Sequence, residues 1–442
     1  MTGSKPLVAI VGRPNVGKST LFNRLAGRRA AVVSDVPGTT RDRVSLETVL
    51  GHRQVILVDT GGLEGGPDMP LAAQVTAQVE VAIQEADVII FLTDALEGVT
   101  PADEDIAQRL RRAGKPILLV ANKADNDQRA QGAAEFYRLG LGDPLAVSAY
   151  HARGVDELEA ALLAIIPEGA PESNGAQDRL ALAIIGRVNV GKSSLLNAIL
   201  GHDRAIVSET PGTTRDAIDT PFAYKGQEVL LIDTAGIRRP GKIARGIEKY
   251  AVLRALQAID RSDVVLLVLD ATELPTAQDA HLAGRVANAF KGMVLVVNKW
   301  DLAPTLGMDQ PRAVQALRQQ LKFMAYAPVR FASALRGTGI EEVLDAALMV
   351  HQERRKSVSR EQLASAVMDA LAENPPPSRA GRSLRVTRTV QEGVSPPTFT
   401  LHVNDPTLVH FSYYRYLENR LRESLGFRWN RLKLVFQGRK VA

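Results

Sequence analysis

The chain has 442 residues, 45% of them hydrophobic, and a formal net charge of +5, which suits about two to four domains that each bury a core. No apolar run approaches the roughly 18 residues of a membrane span, and the apolar stretch in "MTGSKPLVAIVG" is too short for a secretory signal. The lack of cysteine excludes disulfides and thiolate metal sites and fits a reducing cytoplasm.

In chain order, "PLVAIVG" predicts a first strand and "GRPNVGKSTLFNRLAG" a glycine loop that opens into a helix. Gly12 and Gly17 let backbone N–H groups converge on phosphate oxygens, and the helix N-terminus favours the same anion. Within Gly12, Arg13, Pro14, Asn15, Val16, Gly17, Lys18, Ser19 and Thr20, Lys18 is the cation for β- and γ-phosphates and Ser19 offers Mg²⁺ a hydroxyl. "DVPGTTRDR" brings Thr40 as a Mg²⁺-sensing hydroxyl, with Thr39 as the alternative. "QVILVDTGG" predicts a strand ending on Asp59, which orients Mg²⁺ through water. Thr60, Gly61 and Gly62 follow, and the Gly62 N–H can reach a γ-phosphate. "ADVIIFLTD", "KPILLVANK" and "DPLAVSA" predict further strands, separated by amphipathic helices such as "PADEDIAQRLRRAG". Such Val/Ile/Leu-rich, non-alternating runs belong to strands buried on both faces, so the fold class is α/β, a mainly parallel sheet with helices on both faces.

The phosphate loop does not choose the base; "NKAD" does. Guanine presents N1–H and a 2-amino group side by side, and the carboxylate of Asp125 can accept both. Adenine offers neither donor and leaves that carboxylate unpaired. Asn122 can brace neighbouring loops, and the Lys123 stem can cover the base. Ser148 and Ala149, at the next strand end, resemble the segment that contacts the guanine oxygen in GTPases.

"PEGAPESNGAQD", residues 167–178, reads as a flexible linker. After it the phrase recurs as Gly186, Arg187, Val188, Asn189, Val190, Gly191, Lys192, Ser193 and Ser194, shifted by 174 positions. Thr214 (or Thr213), Asp233, Thr234, Ala235 and Gly236 repeat the switch residues; Asn298, Lys299 and Asp301 repeat the base reader; Ser333 and Ala334 repeat the last turn. A period this long means duplicated domains, 1–166 and 179–351, rather than a solenoid. After Asp-x-x-Gly stand Leu63 and Ile237, where many GTPases place a water-orienting Gln. Hydrolysis here must use another group, a partner or an ion. The basic "RRPGK" after the second switch makes copy two the more electropositive, so the copies are expected to be chemically alike and to differ in timing and contacts.

From His351 onward there are 16 Lys/Arg against 8 Asp/Glu, so the basic excess sits at the C-terminal end and suits an anionic partner. "SREQLASAVMDALAEN" carries a capping box, Ser359 with Gln362. "SLRVTRTV" and "TFTLHV" predict strands joined by a "QEGVSPP" loop. "DPTLVHFSYYRYLENRLRESLG" predicts a helix starting at Asp-Pro and stopping at Gly426, with Leu417, Leu421 and Leu425 as its apolar stripe. "RLKLVFQ" predicts a last strand. Tyr413, Tyr414 and Tyr416 are expected in a core or domain interface.

With these motifs in hand, the chain resembles the Der (EngA) family of bacterial tandem GTPases, within the Era-like GTPases, over nearly its whole length. The resemblance implies two tandem P-loop G domains plus a C-terminal KH-like α/β domain, residues 352–442, packed between them. It implies GTP/GDP and Mg²⁺ at two sites and GTP hydrolysis. It implies assembly of the large (50S) ribosomal subunit as the task, with that subunit and its rRNA as partners, in the cytoplasm. Related GTPases use an Asn of the phosphate loop to hold K⁺, and Asn15 and Asn189 match it. The Gly-x-x-Gly loop by which KH domains clamp nucleic acid is absent from the sequence. Nothing in the sequence demands more than a monomer. A tRNA-modification GTPase is a rival, but would carry one G domain and a C-terminal Cys. A GTP-gated scaffold with little hydrolysis is another, to be separated by phosphate release.

Overall fold

The computed structural model describes residues 5–27, 45–51, 53–62, 71–166, 179–202, 205–207, 219–234, 247–376 and 383–438. These fall into two compact units, the first holding one sheet and the second holding two.

The first sheet is built from β1 (Leu7–Val11), β2 (Ser45–Leu50), β3 (Arg53–Asp59), β4 (Val88–Asp94), β5 (Ile117–Asn122) and β6 (Leu145–Ala146), in the order β2-β3-β1-β4-β5-β6. All pairings are parallel except β2 with β3. β1 and β4 are buried at every residue, as continuous apolar runs require. β2, "SLETVL", was not expected: its mixed polarity is that of an edge strand, which no apolar run announces. "DPLAVSA" forms a strand of only two residues at the other edge.

The second unit opens with β7 (Leu180–Ile185), β8 (Ala205–Val207), β9 (Thr220–Tyr224), β10 (Gln227–Ile232), β11 (Val264–Asp270), β12 (Gly292–Asn298) and β13 (Val329–Phe331), ordered β13-β12-β11-β7-β10-β9-β8. β8 and β9 are antiparallel additions at one edge; the other pairings are parallel. Alternate residues of β7 enter opposite cores. Leu182 and Ile184 pack with the helices Lys192–Leu200 and Ile340–Arg354, while Ala183 and Ile185 pack with helices 247–261 and 277–288. This sheet therefore has helices on both faces, as expected.

The last sheet is β14 (Val386–Val394), β15 (Pro397–Val403) and β16 (Lys433–Gly438), with β14-β15 antiparallel and β15-β16 parallel. Two expectations are corrected here. "QEGV" is not loop but the end of β14, carried into a tight hairpin by a bulge between Gln391 and Gly393. Asp405-Pro406 starts a separate 3₁₀ turn rather than the long helix, which begins at Phe411 under the His410 cap. Asp405 is consumed by the Thr407 N–H, and Val409 is extended, so the chain turns before the helix starts. The Ser359 capping box, the Gly426 stop at φ 69° and the buried Leu417, Leu421 and Leu425 are as read. The Tyr413 and Tyr416 hydroxyls donate to Asn374 and Ala370 carbonyls at 2.7 Å, and the Tyr414 oxygen accepts from Leu434 N–H at 3.2 Å, so the three tyrosines are structural.

This last domain is docked on the helix Ile340–Arg354. Glu353 accepts N–H groups of Arg428 (2.6 Å), Trp429 (2.8 Å) and the Asn430 amide (2.9 Å). Asn430 also donates to Val350 O at 2.9 Å, and Arg431, ion-paired with Glu418, lies over Phe290. That helix runs across residue 351, where the sequence suggested a domain boundary.

Candidate functional site

β1 ends where Gly12 begins, and the loop can turn there because Gly12 and Gly17 adopt φ 157° and 97°. A Cβ on Gly12 would meet Leu92 O at 2.2 Å, and one on Gly17 would meet Asn122 Nδ2 at 2.3 Å. Gly186 and Gly191 repeat this with φ 151° and 96°, the clashing atoms being Val268 O and Asn298 Nδ2. Asn15 and Asn189 both sit at φ 65°, the left-handed region that Asn tolerates best after glycine. Their side chains are exposed at the loop's rim, as are Ser19, Thr20, Val188, Ser193 and Ser194, whereas Val16 and Val190 are buried beneath it. Pro14 is half-buried.

Lys18 lies under the loop, its Nζ donating to Gly12 O (2.7 Å) and Arg13 O (2.8 Å). Lys192 does the same to Gly186 O (2.9 Å) and Arg187 O (2.5 Å). Burial pushes Lys18 down to about 8, partly offset by the Asp59 charge and assisted by Arg13. Burial pushes Lys192 down to about 8 as well. Among the described residues both ammonium groups donate to loop carbonyls, in a place where an anion would stabilise them.

At the end of β3, Asp59 Oδ2 accepts Ser19 Oγ at 2.5 Å and Oδ1 accepts Gly61 N–H at 2.9 Å; Thr60 Oγ1 donates to Ile10 O at 2.6 Å. Gly61 is close-packed, since a Cβ there would lie 2.8 Å from Lys18 Cε. Gly62 completes the short turn. The second copy differs in detail. Asp233 adopts φ 56°, its N–H held by Asp219 at 2.9 Å, and Thr234 pairs with Thr220 at 2.9 Å. Thr39, Thr40, Leu63, Thr213, Thr214, Ala235, Gly236, Ile237, the "RRPGK" segment and the 167–178 linker lie outside the described residues.

Asn122, at the end of β5, is buried and joins two loops. Its Nδ2 donates to Val16 O (2.7 Å) and its Oδ1 accepts Ala149 N–H (3.0 Å). Asn298 repeats both bonds, to Val190 O (2.9 Å) and from Ala334 N–H (3.0 Å). Asp125 accepts Ser148 Oγ at 2.7 Å and Arg129 at 2.8 Å; Asp301 accepts Ser333 Oγ at 2.5 Å. Lys123 and Lys299 take left-handed φ of 66° and 60° and pair with Asp94 and Asp270 at 2.5 Å. Burial would raise the Asp270 carboxyl, but Lys299 and Thr272 hold it below its ordinary range. In each copy the structure joins the loop lysine to its loop carbonyls, the Asn to the loop and to the last turn, and the Asp to the Ser of that turn; the Ser19–Asp59 pair is seen in copy one.

One pair the sequence did not single out. Arg13 is clamped by Glu97 (2.6 Å) and the fully buried Asp103 (3.4 Å). Asp103 also forms the capping box of the helix Pro101–Arg112 with Thr100. Arg187 repeats this with Glu273 (3.1 Å) and Asp279 (3.2 Å), the capping-box residue of the helix Ala277–Asn288. The signal was legible: Thr-x-x-Asp stands at both places. What it lacked was a reason to connect it with an arginine about ninety residues earlier.

The geometry describes two sites, each with a lysine on the carbonyls of a glycine loop and a carboxylate–serine pair at the base turn, and in copy one a further carboxylate–hydroxyl pair beside the lysine. Residues 7–123 and 181–299 match the family model described as 50S ribosome-binding GTPase. Residues 357–437 match the KH-domain-like model of EngA bacterial GTPase enzymes, C-terminal. The chain is 50% identical to GTPase Der of Thermomicrobium roseum, over 98% of this chain and 96% of that one. It is 49% identical to GTPase Der of Herpetosiphon aurantiacus, over 99% and 97%.

Proposed function

The chain belongs to the GTPase Der family and is a GTP hydrolase, and from that premise we propose that both of its sites turn over GTP to control association with a maturing large ribosomal subunit. Residues 1–166 and 179–351 are read as the two G domains, 167–178 as their linker and 352–442 as the KH-like domain. The observation that supports two working sites is the repeated position of Lys18 and Lys192, each donating to two carbonyls of its glycine loop.

On GTP binding these ammonium groups exchange carbonyls for β- and γ-phosphate oxygens, and the loop amides and helix N-termini take up the remaining negative charge. Asp125 and Asp301 accept the N1–H and 2-amino donors of guanine, while Asn122 and Asn298 hold phosphate loop and base turn in register. The Gly62 and Gly236 amides donate to the γ-phosphate. Water attacks the γ-phosphorus in line, the bond to the β-phosphate oxygen breaks, and the water's proton leaves with inorganic phosphate. Positioning and charge stabilisation carry the rate.

Ser19 with Asp59 and Thr40 would hold Mg²⁺ in copy one, and Ser193 with Asp233 and Thr214 in copy two. The 2.5 Å Ser19–Asp59 pair is a hard-oxygen donor set, which suits that ion. When bound, Mg²⁺ neutralises charge on the β- and γ-oxygens. Asn15 and Asn189, alike in backbone and exposed at the rim, would hold K⁺, whose charge helps between the same phosphates.

The residues read for each site all come from one chain, which supports a monomer, and the work belongs in the cytoplasm with ribosome assembly. No helix among the described residues is long and apolar enough to cross a membrane. The C-terminal domain, with the basic excess and without Gly-x-x-Gly, would contact rRNA through its arginines. Phosphate release from Lys18→Ala and Lys192→Ala chains, in K⁺ and in Na⁺, tests the chemistry: each should keep the other site's turnover, faster in K⁺. Sedimentation of extracts with GDP or a non-hydrolysable GTP analogue tests the partner. A protein absent from large-subunit fractions under both conditions would sink that part.

A further inference from the structure

Two large apolar side chains are left uncovered at the same place in both copies. Tyr150 is 77% exposed and Leu335 is 82% exposed, and each directly follows the Ser-Ala pair of its base turn. A single exposed apolar residue needs no explanation, but two at equivalent positions beside a binding site ask what covers them.

Beside Tyr150 lies a cavity of about 540 Å³, lined by Thr20, Asn23, Arg24, Gly27, Tyr150 and Ala152. Its two sides belong to different parts of the site. Thr20 stands two residues after Lys18, where phosphates sit; Tyr150 and Ala152 belong to the turn that begins at Ser148, where the base is read. Its volume lies in the range of small-molecule sites. Arg24 spans the two sides. It leaves the helix Lys18–Gly27 and donates from Nε to Ala149 O (3.0 Å) and from Nη2 to Tyr150 O (2.6 Å). The peptide that carries the Tyr150 ring is therefore pinned to the helix that carries the phosphate loop. His151 meets that ring edge-on at 4.9 Å, which limits where it can swing.

Asp125 can read only the edge of a base. A ring on the turn whose Ser148 hydroxyl donates to Asp125 can bind the face, and base–aromatic stacking is a strong contribution to nucleotide affinity. In copy two the residue after Ser333-Ala334 is Leu335, and the position equivalent to Arg24 is Ala198. Given the reading of both copies as guanine-nucleotide sites, we propose that Tyr150 stacks on the guanine in copy one, with Arg24 as its positioning residue. Copy two covers its base by aliphatic contact alone and releases nucleotide faster. This gives the expected difference in timing between the copies a structural cause.

The test uses the full chain with Lys192→Ala, so that only copy one binds, and two probes: GDP and tripolyphosphate, which has no base. Tyr150→Ala should weaken GDP about tenfold or more, Tyr150→Phe should restore it to about wild-type strength, and neither should move tripolyphosphate. Arg24→Ala should weaken GDP less and add nothing to Tyr150→Ala. In the complementary Lys18→Ala chain, Leu335→Tyr together with Ala198→Arg should slow GDP release. If Tyr150→Ala leaves GDP affinity unchanged while Lys18→Ala abolishes it, the stacking role is wrong and the nucleotide reading stands. Equal losses for GDP and tripolyphosphate would also overturn it, since the damage would not be at the base. Failure of the Lys192→Ala chain to bind GDP at all would instead remove the nucleotide reading of copy one.

Discussion

Replacing Asn122 with alanine removes two hydrogen bonds at once, one to Val16 O at 2.7 Å and one from Ala149 N–H at 3.0 Å. Both partners are buried, so each is left unsatisfied at about 1–3 kcal/mol, and the pair should cost about 2–6 kcal/mol in all. Where that cost is measured depends on whether the loops relax. If phosphate loop and base turn stay in place, the loss is one of stability, about 2–4 °C in Tm per kcal/mol for a domain of this size. If they drift apart, GDP must rebuild the arrangement, and affinity falls about 30- to 20,000-fold. Fluorescent-nucleotide titration and thermal unfolding of Asn122→Ala in the Lys192→Ala chain measure both shares. Asn122→Asp sharpens the test, because it keeps the acceptor for Ala149 and turns the donor into an anion facing Val16 O. It should be worse than alanine at pH 8 and recover towards pH 5, where a neutral carboxyl can donate again. A variant with near-normal affinity and an unchanged Tm would refute the bracing role.

The depressed lysines give a pH signature. Their protonated form binds phosphate, so affinity should hold below about 8 and fall above it, by about tenfold per pH unit at each site. The stability effect has the opposite sense: the cost of burying the charge is present below about 8 and is relieved as pH rises towards the ordinary lysine range. Affinity that is flat to pH 10 by calorimetry would contradict this. Gly191→Ala should abolish nucleotide binding at copy two with little effect at copy one, because φ 96° and a 2.2 Å approach to Asn298 both oppose a Cβ. Asp103→Asn should lower Tm by weakening the capping box and the buried Arg13 clamp, a loss of about 3–5 kcal/mol. The double change Asp103→Leu with Arg13→Met should recover much of it, and no recovery would mean that the pair acts in more than charge balance.

The sequence by itself determined the chemistry of each copy. The Gly-x-x-x-x-Gly-Lys-Ser loop, the Asn-Lys-x-Asp turn and the strand before each are local patterns, made by residues within about ten positions of one another, and duplication showed every pattern twice. The cores of β1, β4, β11 and β12 were legible for the same reason, as uninterrupted apolar runs. Only the tertiary structure decided what lies across the sheet order. Asn122 reaches Val16 over 106 positions, and Arg24 reaches Ala149 over 125. Arg187 reaches Asp279 over 92. No period or spacing in the chain records such contacts, because they depend on which strand lies beside which. Strands β2, β8 and β9 escaped for a related reason: β2 and β8 are edges and β9 joins β8 to the sheet, and pairing there needs no apolar run, only a neighbour. Tyr150 shows both limits at once. Its residue type is in plain view in the sequence, whereas the Arg24 bond that holds its backbone beside an open cavity belongs to the tertiary structure.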